Sequence, residues 1–372
     1  MTVRKNKVID LFAGVGGLSL GAARAGFEVA AAVELDQIAI AQHALNFPNS
    51  KHLMEDVAAL SGDRLAKLSD VRPGELCGLI GGPPCQGFSE IGLKGNDDPR
   101  NQLLGHFFRL VAEMRPAFFL AENVPGVTHS RNKTIVEEAL SRVPDSYIML
   151  PPMTVKANDY GAPTTRTRVF FFGFDPNRVA PLQAESFLPP VRHDVRVSRA
   201  LSGLPVVRSD WQSEVQSWRA VNPLPEGFYE DRIAGHIPAG VGNKEAIAVY
   251  AAEYRVSGCL GTLHTAETKR RFRSLLPGTT DPISRSVRLR MDGYCPTLRA
   301  GTGPERGSYQ AIRPIHPSSP RVISPREGAR LQGFPDWFQF HPTKWHAFRQ
   351  IGNSVSPIVS EALLSSIFRA VS

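Results

Sequence analysis

One cysteine lies where the chain could bring a reactive side chain to a binding site. An apolar run over residues 76–80 is typical of a buried strand, and it stops at Gly81-Gly82 before Pro83-Pro84 and Cys85. Ligands of open parallel sheets bind outside the carboxyl ends of the strands, so we expect Cys85 to face such a site. A free cysteine is more often a small buried apolar residue, but a proline turn followed by polar Gln86 is poorly placed for core packing. Cys85 is therefore the first candidate for chemistry in this chain.

A glycine-rich turn and two acidic residues indicate a cofactor with a nucleoside part. The segment 10–17 (Asp-Leu-Phe-Ala-Gly-Val-Gly-Gly) leads from an apolar run into a helical pattern, where glycines let a ligand approach a helix N-terminus. Glu34 ends the next strand pattern and could accept both hydroxyls of a ribose, and Asp56 could accept an adenine amino group. Ser19 stands where the dinucleotide fingerprint has its third glycine. S-adenosylmethionine therefore fits these residues better than NAD.

These residues need a sheet to position them, and the apolar patterning predicts one. Strands alternate with helices, which predicts an α/β fold with a mostly parallel sheet and right-handed crossovers. The predicted strands cover 8–14, 27–33, a short segment ending near 56–57, 76–80, 117–121 and 168–174. The predicted helices cover 17–25, 37–45, 102–114 and 134–142, with a further helix start at Ser324-Pro325 and a terminal helix over 358–371.

The alternation fades after about residue 180, and the charge changes there too. Lys and Arg outnumber Asp and Glu by 21 to 14 over residues 181–330, whereas the two sets are equal, at 19 each, over 1–180. A basic, irregular lobe beside a neutral one indicates a polyanionic partner. The predicted division is a catalytic domain over 1–184, a target-recognition lobe over 185–320, and a segment over 321–372 that returns to the catalytic domain.

Composition narrows the class of protein further. No run approaches the ~18 apolar residues of a membrane helix, and the basic start is not followed by the apolar core of a signal peptide. The four cysteines lie far apart with no Cys-x-x-Cys pair. This usage predicts reduced thiols, no metal site and a cytoplasmic location.

Six motifs in a fixed order give the chain a resemblance to a known family. They are Asp10–Gly17 with Leu18, Gly82–Ser89, Glu122-Asn123-Val124, Tyr160–Arg168, Pro325-Arg326-Glu327 with Gly333-Phe334-Pro335, and Gly352-Asn353-Ser354-Val355. On these motifs the chain resembles the DNA (cytosine-5)-methyltransferases of bacterial restriction–modification systems, over nearly its whole length outside the middle lobe. The resemblance implies a Rossmann-like sheet that binds S-adenosylmethionine, with a second, smaller and irregular target-recognition lobe.

The resemblance also implies catalytic roles. Carbon 5 of cytosine becomes nucleophilic enough only after a thiolate adds to carbon 6, and Cys85 would supply that thiolate. Glu122, at an adjacent strand end, would donate a proton to ring nitrogen 3. In the family the first arginine of an Arg-x-Arg pair points into the site, so Arg166 is assigned to catalysis and Arg168 to its support. Thr164 stands where the family usually has glutamine.

The implied cofactor pocket uses both ends of the chain. Its expected members are Phe12, Ala13, Gly14, Gly16, Gly17, Leu18, Glu34, Leu35, Asp56, Val57, Pro84, Asn353, Ser354 and Val355. Leu35 stands where the family often has tryptophan, so stacking on the adenine is expected to be weaker. The Gly- and Asp-rich segment 90–101 matches a loop that closes over DNA in the family.

The implied substrate is double-stranded DNA, whose target cytosine must be flipped out of the stack. The basic lobe would contact phosphates and read neighbouring bases. A monomer is expected, with a cognate restriction endonuclease as a separately acting partner and no membrane association.

Two alternatives stay open. A tRNA cytosine-5 methyltransferase of the same fold would usually carry a Cys-Phe-Thr tripeptide, which is absent here. A DNA-binding regulator without activity would not need Cys85, Glu122 and Arg166 all intact. An NAD oxidoreductase is disfavoured because the dinucleotide fingerprint fails at Ser19.

Overall fold

The fold is organised around an eight-stranded sheet. A computed structural model describes residues 6–84, 102–207, 217–235, 237–300 and 313–371. The strands of the sheet are β1 (Lys7–Leu11), β2 (Glu28–Val33), β3 (Lys51–Leu53), β4 (Gly78–Gly81), β5 (Phe118–Asn123), β6 (Ile148–Met149), β7 (Met153–Lys156) and β8 (Thr167–Phe174). β3, β2, β1, β4 and β5 lie side by side in that order and run parallel, whereas β8 is antiparallel to β5 and pairs in turn with β6 and β7. The predicted α/β fold with a mostly parallel sheet is confirmed.

Five helices connect the strands of the sheet, and seven more follow it among the described residues. The first set is α1 (Gly17–Ala25), α2 (Gln37–Asn46), α3 (Gly62–Ser69), α4 (Leu103–Met114) and α5 (Lys133–Leu140). The later set is α6 (Val197–Leu201), α7 (Phe228–Ala234), α8 (Lys244–Glu253), α9 (Ala266–Ser274), α10 (Pro325–Gln332), α11 (Lys344–Asn353) and α12 (Pro357–Val371). A two-stranded antiparallel sheet joins β9 (Arg219–Ala220) to β10 (Arg255–Val256).

Capping residues in the sequence mark where these helices begin and end. The Asp36 carboxylate accepts hydrogen bonds from the first free amides of α2, at 2.9 and 3.0 Å. Helix α10 begins with a capping box between Ser324 and Glu327, has Pro325 in its first turn, and ends at Gly333 in the left-handed conformation with φ 88°. The helix start predicted at Ser324-Pro325 is confirmed.

The strands send alternate side chains to two apolar layers, as period-two alternation requires. Phe170 and Phe172 of β8 pack in the layer that also holds α12, whereas Val169 and Phe171 pack on the opposite face with α4. Helix α12 lies directly against α1, so the end of the chain covers one face of the sheet beside its first helix.

Two strands end earlier in the structure than predicted. The first strand was predicted over 8–14 but ends at Leu11, because Phe12 and Gly14 take left-handed conformations that turn the chain early. The third strand ends at Leu53 rather than near Asp56, which instead begins a turn by accepting the Ala58 amide at 2.9 Å.

Residues 188–324 contain only short helices, short strands and isolated bridges among their described positions. Val195, Tyr229 and Val256 belong to the same apolar layer as α1 and α12. The division into three domains therefore stays a prediction.

One stretch, Lys344–Val371, could cross a membrane by length and composition alone. It consists of two helices, α11 and α12, and 67% of its apolar window is buried inside the fold. Such burial is typical of core helices, so the stretch is weak evidence for a membrane span.

Candidate active site

The carboxylate of Glu34 joins the glycine turn to the start of α2. Its Oε2 accepts a hydrogen bond from the Gly14 amide at 3.0 Å, and its Oε1 accepts one from the Asp36 amide at 2.9 Å. Burial raises the pKa of Glu34, and these backbone hydrogen bonds oppose the rise. Because each carboxylate oxygen has a second lone pair, Glu34 is held at the ends of β1 and β2 with acceptor capacity left for a ligand.

The glycine turn is open at Gly14 and tightly packed at Gly16 and Gly17. A Cβ on Gly14 would meet no atom within 4 Å. A Cβ on Gly16 would lie 2.3 Å from a neighbouring aromatic ring, and one on Gly17 would lie 2.3 Å from the carbonyl oxygen of Val355. Gly14 therefore lines free space, whereas Gly16 and Gly17 are required by packing.

The end of the chain packs against this turn. Besides the contact between Gly17 and Val355, the Ser360 hydroxyl donates to the Gly17 carbonyl at 2.8 Å. Ser354 and Val355 are buried, while Asn353 is exposed. The edge of the sheet at β1 is thus built from residues more than 330 positions apart in the chain.

The other expected pocket residues follow the carboxyl ends of the parallel strands β1 to β4. Phe12 is half-buried, Ala13, Leu18 and Val57 are buried, and Leu35, Asp56 and Pro84 are exposed. Leu35 is 63% exposed, so an apolar side chain lies open to solvent beside Glu34. The structure brings these residues to one edge of the sheet, and their role toward a cofactor stays a proposal.

A buried hydrogen-bonded chain lies under the glycine turn, and the sequence patterns did not single it out. The Ser19 hydroxyl donates to Asp10 Oδ2 at 2.6 Å, His43 Nε2 lies 3.0 Å from Ser19 Oγ, and His52 Nε2 lies 3.1 Å from His43 Nδ1. Since Ser19 donates to Asp10, it accepts from His43 Nε2, which leaves His43 Nδ1 to accept from His52. His52, His43 and Ser19 therefore each donate to the next side chain in the direction of Asp10.

Burial determines the protonation of Asp10 and His43 in this hydrogen-bonded series. It raises the pKa of Asp10 to about 7, against the hydrogen bonds from Ser19, and the charge of Glu34 adds to the rise. Burial, followed by the neighbouring His52, holds the pKa of His43 well below its usual value, so the ring is neutral. Asp10 Oδ1 is buried and has no hydrogen-bond partner among the described residues.

Glu122 lies at the end of β5, directly beside the end of β4. Gly81 pairs with Ala121, and a Cβ built on Gly82 would lie 3.2 Å from Glu122 Oε2. Cys85 follows three residues after Gly82 but lies outside the described residues, as does the segment 90–101. The strand register therefore brings the candidate acid next to the turn that carries the candidate nucleophile.

Arg168 forms an ion pair with Glu122. The Arg168 Nε atom lies 2.7 Å from Glu122 Oε1, and the two side chains are 16% and 10% exposed. Glu122 pairs with Phe170 across β5 and β8, so Arg168, two residues earlier, reaches it as a diagonal neighbour on the same face. Arg168 is therefore the ion-pair partner of the candidate acid Glu122.

The guanidinium of Arg166 contacts backbone carbonyls. It precedes β8, is 3% exposed, and its Nη1 donates to the Gly352 carbonyl at 2.8 Å and to the Leu298 carbonyl at 3.3 Å. Its Nη2 lies 3.5 Å from the Asn353 carbonyl. Burial, and then the charge of Arg168, hold the pKa of Arg166 well below its usual value, while Glu122 opposes the effect. Arg168 rather than Arg166 therefore contacts Glu122, and the catalytic role of Arg166 with Arg168 in support stays a prediction.

The remaining cysteines are poorly suited to nucleophilic chemistry. Cys77, Cys259 and Cys295 are buried. Burial raises the pKa of Cys259 to about 12 and also raises that of Cys295, so neither is ionised near neutral pH. Within the described part of the chain, no group of three or more His, Cys, Asp or Glu side chains could hold a metal ion.

Thr164, which replaces the glutamine of the resembling family, is fully buried. It forms a bridge with Cys295, and its hydroxyl has no hydrogen-bond partner among the residues described. The segment before β8 is therefore packed against the chain at 295–298 rather than open to solvent.

Comparison with known proteins gives a consistent result along the chain. A family model described as C-5 cytosine-specific DNA methylase matches residues 6–369. The Type II methyltransferase M.XorII of Xanthomonas oryzae pv. oryzae is 37% identical over 367 residues, which cover 98% of this chain and 84% of that protein. The Type II methyltransferase M.DdeI of Desulfomicrobium norvegicum is 33% identical over 387 residues, which cover 97% of this chain and 88% of that protein.

Solved structures share the fold. A protein described as a DNA modification methyltransferase encoded within an E. coli prophage is 50% identical, with a TM-score of 0.88, over 98% of this chain and 99% of its own. The S. pombe Dnmt2 methyltransferase is 17% identical, with a TM-score of 0.61, over 98% of each chain. The second likeness shows the fold alone.

Proposed function

The chain belongs to the C-5 cytosine-specific DNA methylases, and we propose that it transfers a methyl group from S-adenosylmethionine to carbon 5 of a cytosine flipped out of duplex DNA. The target cytosine lies within a short specific sequence, and the reaction passes through a covalent adduct with Cys85. Bases in a duplex are stacked, so an enzyme that reacts with ring carbons must first extrude its target.

The observation that supports this chemistry best is the place of Glu122 against the end of β4. Its Oε2 is 3.2 Å from the position of a Cβ on Gly82, and Cys85 is three residues further along. Three residues span at most about 10 Å, so a thiol and a carboxyl group can reach the same pyrimidine ring. These are the two groups that addition at carbon 6 and protonation at nitrogen 3 require.

Each proton and bond has a place in this scheme. The Cys85 thiolate bonds to carbon 6 while the Glu122 carboxyl gives its proton to nitrogen 3, which makes carbon 5 nucleophilic. S-adenosylmethionine would supply the electrophilic methyl group and would leave as S-adenosylhomocysteine. Water then takes the carbon 5 proton, nitrogen 3 returns its proton to the Glu122 carboxylate, and the bond between carbon 6 and sulfur breaks, which restores the aromatic ring and the thiolate. Arg168 holds the Glu122 carboxyl group in place and stabilises the carboxylate left after proton donation.

The residues at the ends of β1 and β2 fit the cofactor. Glu34 has acceptor capacity for ribose hydroxyls, and the free space at Gly14 allows a ligand to approach the backbone. The half-buried Phe12 and the exposed Leu35 offer apolar surface to an adenine ring. We place Asp56, Val57, Pro84 and the segment Asn353-Ser354-Val355 in the same pocket.

The names of the relatives suggest a biological setting. M.XorII and M.DdeI are Type II methyltransferases, which supports a role in protecting DNA in a restriction–modification system with a separately acting endonuclease. The proposal includes a cytoplasmic monomer whose residues 185–320 recognise the target sequence.

The test uses radiolabelled S-adenosylmethionine with unmethylated genomic DNA, followed by bisulfite sequencing. Wild type is expected to place 5-methylcytosine within one short sequence, and Cys85→Ser to abolish transfer while retaining cofactor binding. Label in bulk tRNA but not in DNA would indicate an RNA methyltransferase. Tight DNA binding without transfer to either would indicate a regulator.

A further inference from the structure

Exposed basic and apolar side chains are concentrated in one part of the middle region. Residues 263–290 contain seven Lys and Arg against two Asp and Glu. Leu263, Leu276 and Ile283 in this range are 65%, 71% and 68% exposed. Arg271 and Arg290 are in ion pairs, whereas Arg270, Arg273 and Arg285 are exposed without an ion pair to a described residue. Exposed apolar side chains beside such positive charges are typical of a surface that binds a polyanion with apolar parts, as DNA has.

Helix α9 and the hairpin that follows it form a preorganised unit, here called the α9–hairpin unit (residues 266–290). Arg288 Nη1 donates to the last carbonyls of α9, at 2.7 Å for Leu275, 3.1 Å for Arg273 and 3.3 Å for Phe272. The Asp281 carboxylate, fully buried, accepts from Arg271 Nε at 2.7 Å. Arg271 is thus paired with a carboxylate, and the Arg288 guanidinium is occupied by backbone carbonyls. These contacts fix the hairpin to the helix.

The tip of the hairpin is held in a strained conformation. Thr280 and Val287 form an antiparallel bridge, and the Arg285 amide donates to the Asp281 carbonyl at 2.9 Å. Arg285 has φ 59°, a left-handed conformation that is unfavourable for a non-glycine residue. Such strain persists where the surroundings enforce it and often marks a functional segment. The enforced conformation presents Ile283 and Arg285 outward, and Arg285 has no ion pair with any described residue.

We propose that the tip of the α9–hairpin unit reads the DNA sequence beside the target cytosine, an inference that rests on the proposed function. Arg285 bonds to the edge of a guanine, because the guanidinium fork matches guanine O6 and N7. Ile283 contacts the adjacent base through its apolar surface. Arg270 and Arg273, exposed on α9 and without ion pairs to described residues, bind phosphates and set the register.

The chain path keeps the tip within reach of the target base. The Cys295 amide donates to the Pro163 carbonyl at 2.9 Å, and the Thr165 amide donates to the Cys295 carbonyl at 2.9 Å. Twelve residues separate Ile283 from Cys295, a path of at most about 40 Å. One turn of B-DNA is about 34 Å long, so the tip can contact bases within roughly one turn of the site.

The experiment maps methylation by bisulfite sequencing on a randomised duplex library, with purified full-length protein. We expect Arg285→Ala to lose about 5- to 150-fold discrimination at one guanine position, the range of a lost bidentate contact. Ile283→Ala is expected to relax the neighbouring position. Arg270→Ala and Arg273→Ala should weaken binding to all sequences alike and lower the salt dependence of affinity by about one unit each.

Two controls keep the outcomes distinct. Arg285→Gly, which the left-handed backbone accepts, guards against a folding defect and should match Arg285→Ala in specificity. Arg72→Ala removes an exposed arginine near α3 and should leave discrimination unchanged.

Unaltered sequence preference in both Arg285 variants would overturn the inference, as would an equal loss of activity on every sequence. Failure of wild type to methylate DNA would instead refute the proposed function.

Discussion

Replacing Arg166 with methionine is expected to weaken cofactor binding more than the methyl-transfer step. The short 2.8 Å hydrogen bond from Arg166 to the Gly352 carbonyl restrains the segment that continues into Asn353 and Val355. The contacts at 3.3 and 3.5 Å to Leu298 and Asn353 are longer and contribute less. A hydrogen bond to a charged group contributes about 1.5–3 kcal/mol. If most of that restrains the cofactor pocket, the Kd for S-adenosylmethionine should rise about 10- to 100-fold.

The assay is titration calorimetry with S-adenosylmethionine in the absence of DNA, beside single-turnover methyl transfer at saturating cofactor. Arg166→Lys keeps a charge that can reach one carbonyl and should recover part of the affinity. The matched variant Arg168→Met removes the partner of Glu122 and should lower the transfer rate while the Kd stays within about threefold of wild type. Wild-type cofactor affinity in Arg166→Met, together with lost transfer, would refute this reasoning and return Arg166 to the reacting base. A thermal melt of each variant separates these outcomes from misfolding.

Three further predictions follow from buried groups. Because burial raises the pKa of Asp10 to about 7, the folded protein holds a proton between about pH 4 and pH 7 that the unfolded chain has lost. The free energy of unfolding should fall as pH rises through that window, by up to about 4 kcal/mol from this group, and Asp10→Asn should flatten the fall measured by urea denaturation. Glu327→Gln should cost about 3–5 kcal/mol of unfolding free energy, because Glu327 and Arg321 form a buried pair with contacts of 2.7 and 2.8 Å. Gly17→Ala should raise the Kd for S-adenosylmethionine at least about tenfold, since its Cβ would lie 2.3 Å from the Val355 carbonyl and displace the pocket wall.

Matched variants control these measurements. Glu137→Gln breaks an exposed pair with Lys133 on α5 and should change stability by less than about 1 kcal/mol. Gly74→Ala introduces a Cβ with no atom within 4 Å and should leave the cofactor Kd unchanged. A pH profile of Asp10→Asn identical to wild type, or equal losses in Glu327→Gln and Glu137→Gln, would contradict the roles assigned to these groups.

The cofactor edge was predictable because it depends on strand ends. Parallel strands bring their carboxyl ends to one edge, so the positions of the glycine turn and Glu34 along the chain predict their proximity, and the Gly14 amide donates to Glu34. Asp56 lies three residues beyond the end of its strand. The same logic predicted Glu122 beside the turn that leads to Cys85. These predictions needed only the apolar periods and the positions at which each period stops.

The direction of the two arginines could not be derived from spacing. Residues two apart in a regular strand share a face, but β8 begins at Thr167, so Arg166 lies outside the period that orients Arg168. Its partners, the carbonyls of Leu298 and Gly352, are 132 and 186 residues away. Nothing local in the sequence indicates contacts of that separation.

Buried charge is a second feature that the apolar pattern does not indicate. Arg326, Glu327 and Arg330 of α10 are each at most 2% exposed, although charged residues are usually found at the surface. Arg330 forms a buried ion pair with Asp336 at 2.6 and 2.8 Å. Burial alone would raise the pKa of Glu327, but the hydrogen bond with Arg321 holds that pKa below its usual value. The capping residues predict where this helix begins, but the periodicity of apolar residues does not indicate that its charged side chains are buried in ion pairs.

The position of Arg166 explains how a chain can leave its sheet for more than 100 residues and still assemble one site. The strand entrance at 164–166, the chain at 295–298 and the cofactor segment at 352–355 contact one another mainly through backbone carbonyls and amides, which have no specificity of their own. A planar guanidinium offers five donors in a fixed arrangement, whereas a lysine ammonium would satisfy fewer of these carbonyls with less directional control. Burying that charge without a direct carboxylate partner is unfavourable by itself, so the contact is retained only if the relative placement of the three segments matters. Glu122 contacts Arg168, which follows Arg166 by two residues, and the proposed cofactor segment includes Asn353. Arg166 therefore links the stretch beside the candidate acid to the proposed cofactor segment.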